Sequence, residues 1–256
     1  MSDERTPQSD IITAAVLVIG DEILSGRTKD KNIGFIAEYL TNIGIDLREV
    51  RVVADVEDEI VAALDALRHR YTYVFTTGGI GPTHDDITAD CVAKAFGVTN
   101  DVDPRAKALL LTRIAEKDLN EARLRMARVP KGADLILNKV SAAPGFRIGN
   151  VHVMAGVPAI MQAMLDEVAP TLKTGIKLLS ESVRADLREG DIGGPLGEIA
   201  KAHPGTMIGS YPFQDDGGRP NTNLVIRSRD PQQLAAAKAA VEAMLAQVRA
   251  GLRKLA

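Results

Sequence analysis

Strand and helix patterns alternate through the first 170 residues, and this alternation strongly limits the folds open to the chain. Residues 14–19 form a continuous apolar run, which is typical of a strand buried on both faces. Helical spacing of apolar residues follows, and further strand patterns lie within residues 45–53, 71–75, 135–137 and 151–154. Repeated β-α-β units predict an α/β domain of three layers, with a mostly parallel sheet between helices and ligands at the carboxyl ends of its strands.

The pattern changes after Pro170, where the order becomes β-α-β-β-α. This order does not continue a parallel sheet, so it predicts a small α+β domain with an antiparallel or mixed sheet. We expect a flexible N-terminal tail over residues 1–12, the α/β domain over 13–172 and the small domain over 176–256, with the break near residues 171–177.

Composition excludes several classes of protein. The net charge of −3 provides no basic surface for nucleic acid or an anionic membrane. No apolar run approaches the roughly 20 residues of a membrane helix, and the polar N-terminus lacks the apolar core of a signal peptide. A single cysteine, Cys91, excludes an internal disulfide and a cysteine-rich zinc site, and its spacing predicts a buried helix residue. We expect a cytoplasmic homo-oligomer that binds neither nucleic acid nor membrane.

Residues 76–86 read Thr-Thr-Gly-Gly-Ile-Gly-Pro-Thr-His-Asp-Asp, between a predicted strand and a predicted helix. Gly78, Gly79 and Gly81 lack a Cβ atom, so backbone amides can there approach a phosphate closely, beside a helix N-terminus. Asp85 and Asp86 would repel that phosphate unless a divalent cation such as Mg²⁺ or Mn²⁺ lay between them. The loop therefore predicts a metal-assisted phosphate site.

A purely structural interpretation of this loop is also open. The glycines would then serve a tight turn, Thr83 would cap the helix, and Asp86 would complete a capping box. His84 could act as a general acid or metal ligand, or simply be an exposed loop residue. The Lys- and Arg-rich segment 103–131 could supply a phosphate clamp through Arg123, Arg125 or Arg128, although a solvated helix face is the better interpretation.

Other loops should converge on the same edge of the sheet. They contribute Gly20, Asp21 and Glu22 after the first strand, Asp55 after the second, and Gly156 and Pro158 from a later loop. We expect a Pro-Gly turn within residues 141–146 to close over them. Five converging carboxylates would raise one another's pKa unless a cation or hydrogen bonds compensated. Alternatively, Asp55 is a helix N-cap, and Asp21 and Glu22 are solvated loop acids.

The segments Gly20-Asp-Glu-Ile-Leu24 and Thr77-Gly-Gly-Ile-Gly-Pro-Thr-His-Asp-Asp-Ile-Thr88, with Asp55 between them, resemble the molybdopterin-binding fold. That fold is shared by molybdopterin adenylyltransferases, the N-terminal domain of competence/damage-inducible protein A and the N-terminal domain of eukaryotic FAD synthase. The chain is most similar to the last of these, which has the same Pro-Thr-His-Asp-Asp motif. Residues 208–212 also resemble the second part of that domain.

The resemblance implies a metal-dependent pyrophosphatase that hydrolyses a dinucleotide such as FAD or ADP-ribose, with Mg²⁺, Mn²⁺ or Co²⁺ as cofactor. With the arguments above, it marks Asp86, Asp55 and Asp21 as catalytic, Asp85, Asp86 and Asp21 as metal ligands, and Gly78, Gly79, Gly81, Thr83, Gly20 and Gly156 as phosphate or nucleotide contacts. The alternatives are an adenylyltransferase of molybdenum-cofactor synthesis and a module that binds a nucleotide or pterin without turnover. Asp85 stands where adenylyltransferases often carry Arg, which favours the hydrolase.

Overall fold

The alternating part of the chain forms a central sheet, in a computed structural model that describes residues 11–253. The first eight strands are β1 (Ile12–Ile19), β2 (Ile45–Val53), β3 (Tyr73–Thr77), β4 (Asn100–Val102), β5 (Arg128–Pro130), β6 (Asp134–Ile136), β7 (Gly145–Ile148) and β8 (Val151–Met154). Six of them form one sheet in the order β2-β1-β3-β8-β7-β6. The first four strands in this order are parallel, and β7 runs antiparallel to both of its neighbours, β8 and β6. The predicted mostly parallel sheet is confirmed.

Helices cover both faces of this sheet. They are α1 (Asp21–Leu24), α2 (Asn32–Asn42), α3 (Glu57–Arg68), α4 (Thr88–Phe96), α5 (Pro104–Leu111), α6 (Glu121–Arg125) and α7 (Pro158–Val168). Alternate residues of β1 enter two separate hydrophobic clusters, one including α2 and α7 and the other including α3 and α4. This double burial explains the uninterrupted apolar run of β1, and the predicted three-layer fold is confirmed. Cys91 is buried in α4, as its spacing predicted.

The structure supports neither of the two helix-capping alternatives. Helix α3 begins at Glu57 after Val56, so Asp55 is not its N-cap. Helix α4 begins at Thr88, so Thr83 does not cap it and Asp86 completes no capping box there. The strand β7 was also missed, because Gly145 and Phe146 fall within the segment predicted as a Pro-Gly turn.

The chain divides into two compact units after Gly175. The second unit contains β9 (Leu179–Arg184), α8 (Glu189–Ala202), β10 (Met207–Gln214), β11 (Pro220–Ser228) and α9 (Pro231–Arg253). Its strands pair in the order β10-β11-β9 and are all antiparallel, which confirms the predicted β-α-β-β-α unit. Its core includes the fully buried Ile192, Leu224 and Ile226. Of the predicted tail, residues 1–10 lie outside the described residues, and Ile12 already belongs to β1.

Candidate functional site

A cavity of about 570 Å³ lies at the carboxyl ends of β1, β3 and β8. This is where a doubly wound sheet is expected to bind its ligand. Its polar lining comes from Glu22, Thr28, Asp55, Asp85, Asp86 and Ser141, its glycines are Gly20, Gly78, Gly79, Gly81 and Gly156, and its apolar lining includes Ile19, Ile80, Pro82, Met126, Ala143, Val157, Pro158, Ile160 and Met164. Loops from four strands of the sheet therefore meet at one site, as the sequence predicted.

Two of the loop glycines adopt a backbone conformation that other residues rarely take. Gly78 has φ +103° and Gly79 has φ +65°. A Cβ atom on Gly78 would lie 2.1 Å from the Ile19 carbonyl oxygen, and one on Gly79 would lie 2.1 Å from the Thr88 Oγ1 atom. The glycines thus allow a close approach of the loop to β1 and to α4, because no side chain stands between them.

The glycine loop, residues 78–81, is hydrogen-bonded to the first residue of α4. The Thr88 amide donates to the Gly79 carbonyl oxygen at 3.0 Å, and the Thr88 hydroxyl donates to the Gly78 carbonyl oxygen at 3.0 Å. The N-terminus of α4 therefore abuts the glycine loop, although residues 80–87 separate them along the chain. The amides of Gly79, Ile80 and Gly81 form no hydrogen bond with any described residue. They are available to donate hydrogen bonds to an anionic ligand.

Asp55 feels the charges of several other acidic side chains. Its carboxylate accepts a hydrogen bond of 2.9 Å from the Asp21 backbone amide. Partial burial raises the pKa of Asp55, and the negative charges of Asp21, Glu22 and Asp85 raise it further. Three of the predicted acids therefore raise the pKa of Asp55, which is not a helix cap, whereas a hydrogen bond from Thr83 lowers the pKa of Asp85.

The Asp86 carboxylate is held against the glycine loop. Its Oδ2 atom accepts a hydrogen bond of 2.8 Å from the Thr83 amide and another from the Thr83 hydroxyl. A Cβ atom on Gly81 would lie 2.6 Å from the same oxygen, so a glycine at this position leaves room for the carboxylate. Thr83 itself does not line the cavity. Its contribution is to orient Asp86.

The first loop presents a different acid from the one predicted. Glu22 lines the cavity, whereas the side chain of Asp21 is exposed and lies outside the lining. Glu22 folds over Gly20, where an added Cβ atom would lie 2.6 Å from its Oε2 atom. The Asp21 backbone amide donates to the Asp55 carboxylate, and the negative charge of Asp21 helps to raise the pKa of Asp55.

No three Asp, Glu, His or Cys side chains within residues 11–253 lie close enough together to form a ready metal cluster. Magnesium is commonly held by one or two carboxylates together with water and substrate phosphates, so a preformed cage is not required. Metal binding by Asp85, Asp86 and a first-loop acid stays a prediction. His84 is almost fully exposed, lies 4.0 Å from Asp85, and does not line the cavity.

The segment after β6 borders the cavity, as predicted for the turn within residues 141–146. Ser141 and Ala143 line the wall, and the Asn138 side chain donates to the Ala143 carbonyl oxygen at 2.9 Å. The apolar wall was not predicted, because Met126 and Ile160 lie in helical or loop segments without a recognisable motif. Asn32 was also missed, although its side chain donates to the Gly156 carbonyl oxygen at 2.8 Å and so supports that wall.

Comparison with known families identifies the first unit. A family model described as a probable molybdopterin binding domain matches residues 15–174. The chain belongs to the molybdopterin-binding domain family. A second model, the middle domain of FAD synthase, matches residues 177–250 of this family member. Both parts of the predicted resemblance are thereby confirmed.

Individual relatives of this family member agree with the family models. A protein of Caldivirga maquilingensis is 35% identical over 208 residues, which cover 78% of this chain and 81% of the relative. A probable FAD synthase of Caenorhabditis elegans is 34% identical over 234 residues, which cover 81% of this chain and 45% of the relative. The chain therefore spans about half the length of the FAD synthases it matches.

A solved structure supports the fold of the first unit. The CinA protein of Thermoplasma acidophilum, described as having unknown function, matches with 36% identity and a TM-score of 0.60. The match covers 64% of this chain and 99% of that protein. In the part of the chain that the structure describes, no helix is long and apolar enough to cross a membrane.

Proposed function

We propose that the protein is a metal-dependent pyrophosphatase that hydrolyses the phosphoanhydride bond of a dinucleotide such as FAD or ADP-ribose. The observation that supports this most is the pairing, in one cavity, of uncommitted loop amides with four carboxylates. The amides of Gly79, Ile80 and Gly81 would donate to phosphate oxygens. The carboxylates would repel the same phosphates unless a cation lay between them.

The cavity has room and surface for a ligand with a flat ring. Its volume of about 570 Å³ lies within the usual range for small-molecule sites. Met126, Val157 and Ile160 are among the side chains of its apolar wall, which suits a nucleobase, flavin or pterin ring. The acidic and glycine-rich part would then hold the phosphates.

The donor set fits a hard divalent cation. Carboxylate oxygens are the ligands that Mg²⁺ and Mn²⁺ prefer, and burial among like charges makes a bound cation favourable at Asp55. We expect Asp85 and Asp86 to hold the metal, joined by Glu22 or Asp55 because the Asp21 side chain lies outside the cavity lining. A bound cation would neutralise the phosphate charge and polarise the attacking water.

In the proposed reaction, a water oxygen attacks one phosphorus atom of the diphosphate and the bridging P–O bond breaks. FAD would give AMP and FMN, and ADP-ribose would give AMP and ribose 5-phosphate. Where Glu22 completes the metal site, Asp55 lines the same cavity and would accept the water proton. The Asp21 amide fixes the orientation of that carboxylate.

Incubation of the purified protein with FAD, ADP-ribose and NAD tests this proposal. The reactions contain Mg²⁺, Mn²⁺ or Co²⁺, or EDTA, and AMP is measured by chromatography. We expect AMP from at least one dinucleotide with metal and none with EDTA. Release of AMP that persists after complete chelation would disprove the metal-dependent mechanism.

Substitution of the proposed metal ligand gives an independent test. Asp86→Ala should lower turnover by about 100-fold or more while circular dichroism shows a folded protein. Asp58→Ala is the matched control, since Asp58 is 92% exposed in α3 and its carboxylate contacts Lys94. Near-native turnover by Asp86→Ala would show that the site is assigned to the wrong carboxylate.

A second function is favoured by the family match itself, because residues 15–174 match a probable molybdopterin binding domain. The same cavity could hold a pterin for adenylyl transfer, or bind a nucleotide or pterin without turnover. Calorimetry separates these cases. Metal-dependent binding of FAD or ADP-ribose without AMP release would support the binding module, whereas transfer of AMP from ATP to molybdopterin would support the transferase.

A further inference from the structure

Arg125 reaches the glycine loop from a distant part of the chain. It is the last residue of α6, and its Nη2 atom donates to the Asp86 backbone carbonyl oxygen at 3.2 Å. The next residue, Met126, lines the cavity. The guanidinium group is therefore adjacent to the segment that carries the free amides and the proposed metal ligands.

Most hydrogen-bond donors of Arg125 are uncommitted. A guanidinium has five N–H donors, and only the bond to the Asp86 carbonyl is formed with described residues. Its Nε atom is buried and has no partner. No carboxylate within the described residues forms an ion pair with it, whereas nearby Arg128 pairs with Asp90. The Nη atoms beside the Asp86 carbonyl keep further N–H groups that can donate to an acceptor bound next to the loop.

The charge balance of the cavity indicates which ligand group that would be. The lining contains four carboxylates and, among the described residues, no Lys or Arg. A diphosphate entering such a site needs positive charge in addition to a metal. Within residues 11–253, Arg125 is the cationic side chain that hydrogen-bonds to the loop of residues 78–86, and its planar fork matches phosphate oxygens.

We propose that Arg125 binds a phosphate group of the ligand, by donating its free N–H groups to a phosphate held by the glycine-loop amides. This inference rests on the proposed function, because it assumes a phosphorylated ligand in this cavity. It selects Arg125 from the three arginines that the sequence offered. Arg123 instead donates to the Asp118 carbonyl oxygen at 2.6 Å, and Arg128 is paired with Asp90.

The test measures the contribution of phosphate to affinity. Calorimetry with excess Mg²⁺ compares α,β-methylene-ADP, whose bridge cannot be hydrolysed, with adenosine. The wild type should prefer the diphosphate. Arg125→Met, which keeps an apolar stem, should weaken diphosphate binding by about 10- to 100-fold and leave adenosine binding unchanged. Arg125→Lys should restore part of the loss, and Arg123→Met is the matched control that should bind like the wild type.

The outcomes separate this inference from the proposed function. Equal weakening of both ligands by Arg125→Met would show a purely structural role and overturn the inference, as would an unchanged diphosphate affinity. A selective loss of diphosphate binding in a protein that releases no AMP would support the Arg125 inference and refute the pyrophosphatase. A wild type that does not prefer the diphosphate would refute both.

Discussion

His152 is an ionisable side chain that the fold keeps neutral. It is 1% exposed, stacks on Phe75 with ring centroids 5.1 Å apart, and has no hydrogen-bond partner on either ring nitrogen. Burial, reinforced by the positive charge of Arg147, lowers the pKa of His152 to about 4. Asp134 and Glu167 border the adjoining cavity of about 180 Å³. Their negative charges do not offset the burial.

Acid should therefore destabilise the first unit through His152. In the unfolded chain a histidine is protonated near its ordinary pKa of 6.5, so the contribution to stability is complete above that pH and is lost as the pH falls towards 4. The full effect amounts to about 3 kcal/mol. Urea unfolding of the wild type and of His152→Phe at pH 7, 6, 5 and 4.5 measures it. The variant should lose less stability than the wild type over this interval, and parallel profiles would contradict the prediction.

At the scale of the element, the glycine loop and the start of α4 form one structural unit. Gly79 and Gly97 provide a matched pair for testing this, since their φ angles are +65° and +66°. An added Cβ atom at Gly97 would meet no atom within 4 Å, whereas at Gly79 it would meet the buried Thr88 hydroxyl. The two positions have nearly the same φ angle and differ in how closely other atoms pack around them.

Gly97→Ala should therefore cost about 1–2 kcal/mol of unfolding free energy from backbone strain alone. Gly79→Ala should cost clearly more, because Thr88 must move away from the Gly78 carbonyl, and it should also weaken phosphate binding. Chemical denaturation of both variants measures the difference. Equal losses would mean that Thr88 moves aside freely and that the two elements are not tightly coupled.

Much of the arrangement of strands and loops could be predicted from the sequence. The run at residues 14–19 indicated a strand buried on both faces, and the loop positions of Asp55, Asp85 and Asp86 indicated a shared edge. The sequence could not exclude Thr83 and Asp86 as the cap of α4, because they have the spacing of a capping box and form its hydrogen bond outside any helix. Local spacing cannot show that the helix starts at Thr88, where its amide and hydroxyl bind Gly79 and Gly78.

The sequence also could not show which acid of the first loop faces the cavity. Asp21 and Glu22 are neighbours in sequence, and only the path of α1 decides that Glu22 lines the cavity. The apolar wall was beyond sequence reasoning for a related reason. Met126 and Ile160 are separated from the glycine loop by dozens of residues, and their positions depend on tertiary packing rather than on a motif.

At the scale of the whole molecule, each of the two units has a hydrophobic core of its own. The core of the second unit contains Leu224 and Ile226 from β11, packed with residues of α8 and α9 such as Ile192 and Val241. Such a core meets the main requirement for independent folding. We therefore expect residues 176–256 to fold when they are produced alone.

Thermal unfolding of this fragment, followed by circular dichroism, should show a single cooperative transition. Leu224→Ala should lower its stability by about 2–5 kcal/mol, because Leu224 is fully buried. Val225→Ala at the next, only partly buried position is the control and should cost less. A fragment without a transition would mean that the second unit needs the first in order to fold.

The contact between Gly156 and Gly78 restricts which residues of this cavity can be substituted. A Cβ atom on Gly156 would lie 3.3 Å from the Gly78 Cα atom, and Gly78 is itself packed against the Ile19 carbonyl. At Gly78 and Gly156, which we call the cavity floor, backbone atoms pack directly against backbone atoms. A larger residue at either position would therefore have little space for its side chain. A change of substrate preference must therefore come from the side chains of the cavity wall, such as Met126, Ala143 and Val157. A library that varies these three residues and keeps the floor should yield folded proteins with altered ring preference, whereas one that varies Gly78 should yield few that fold.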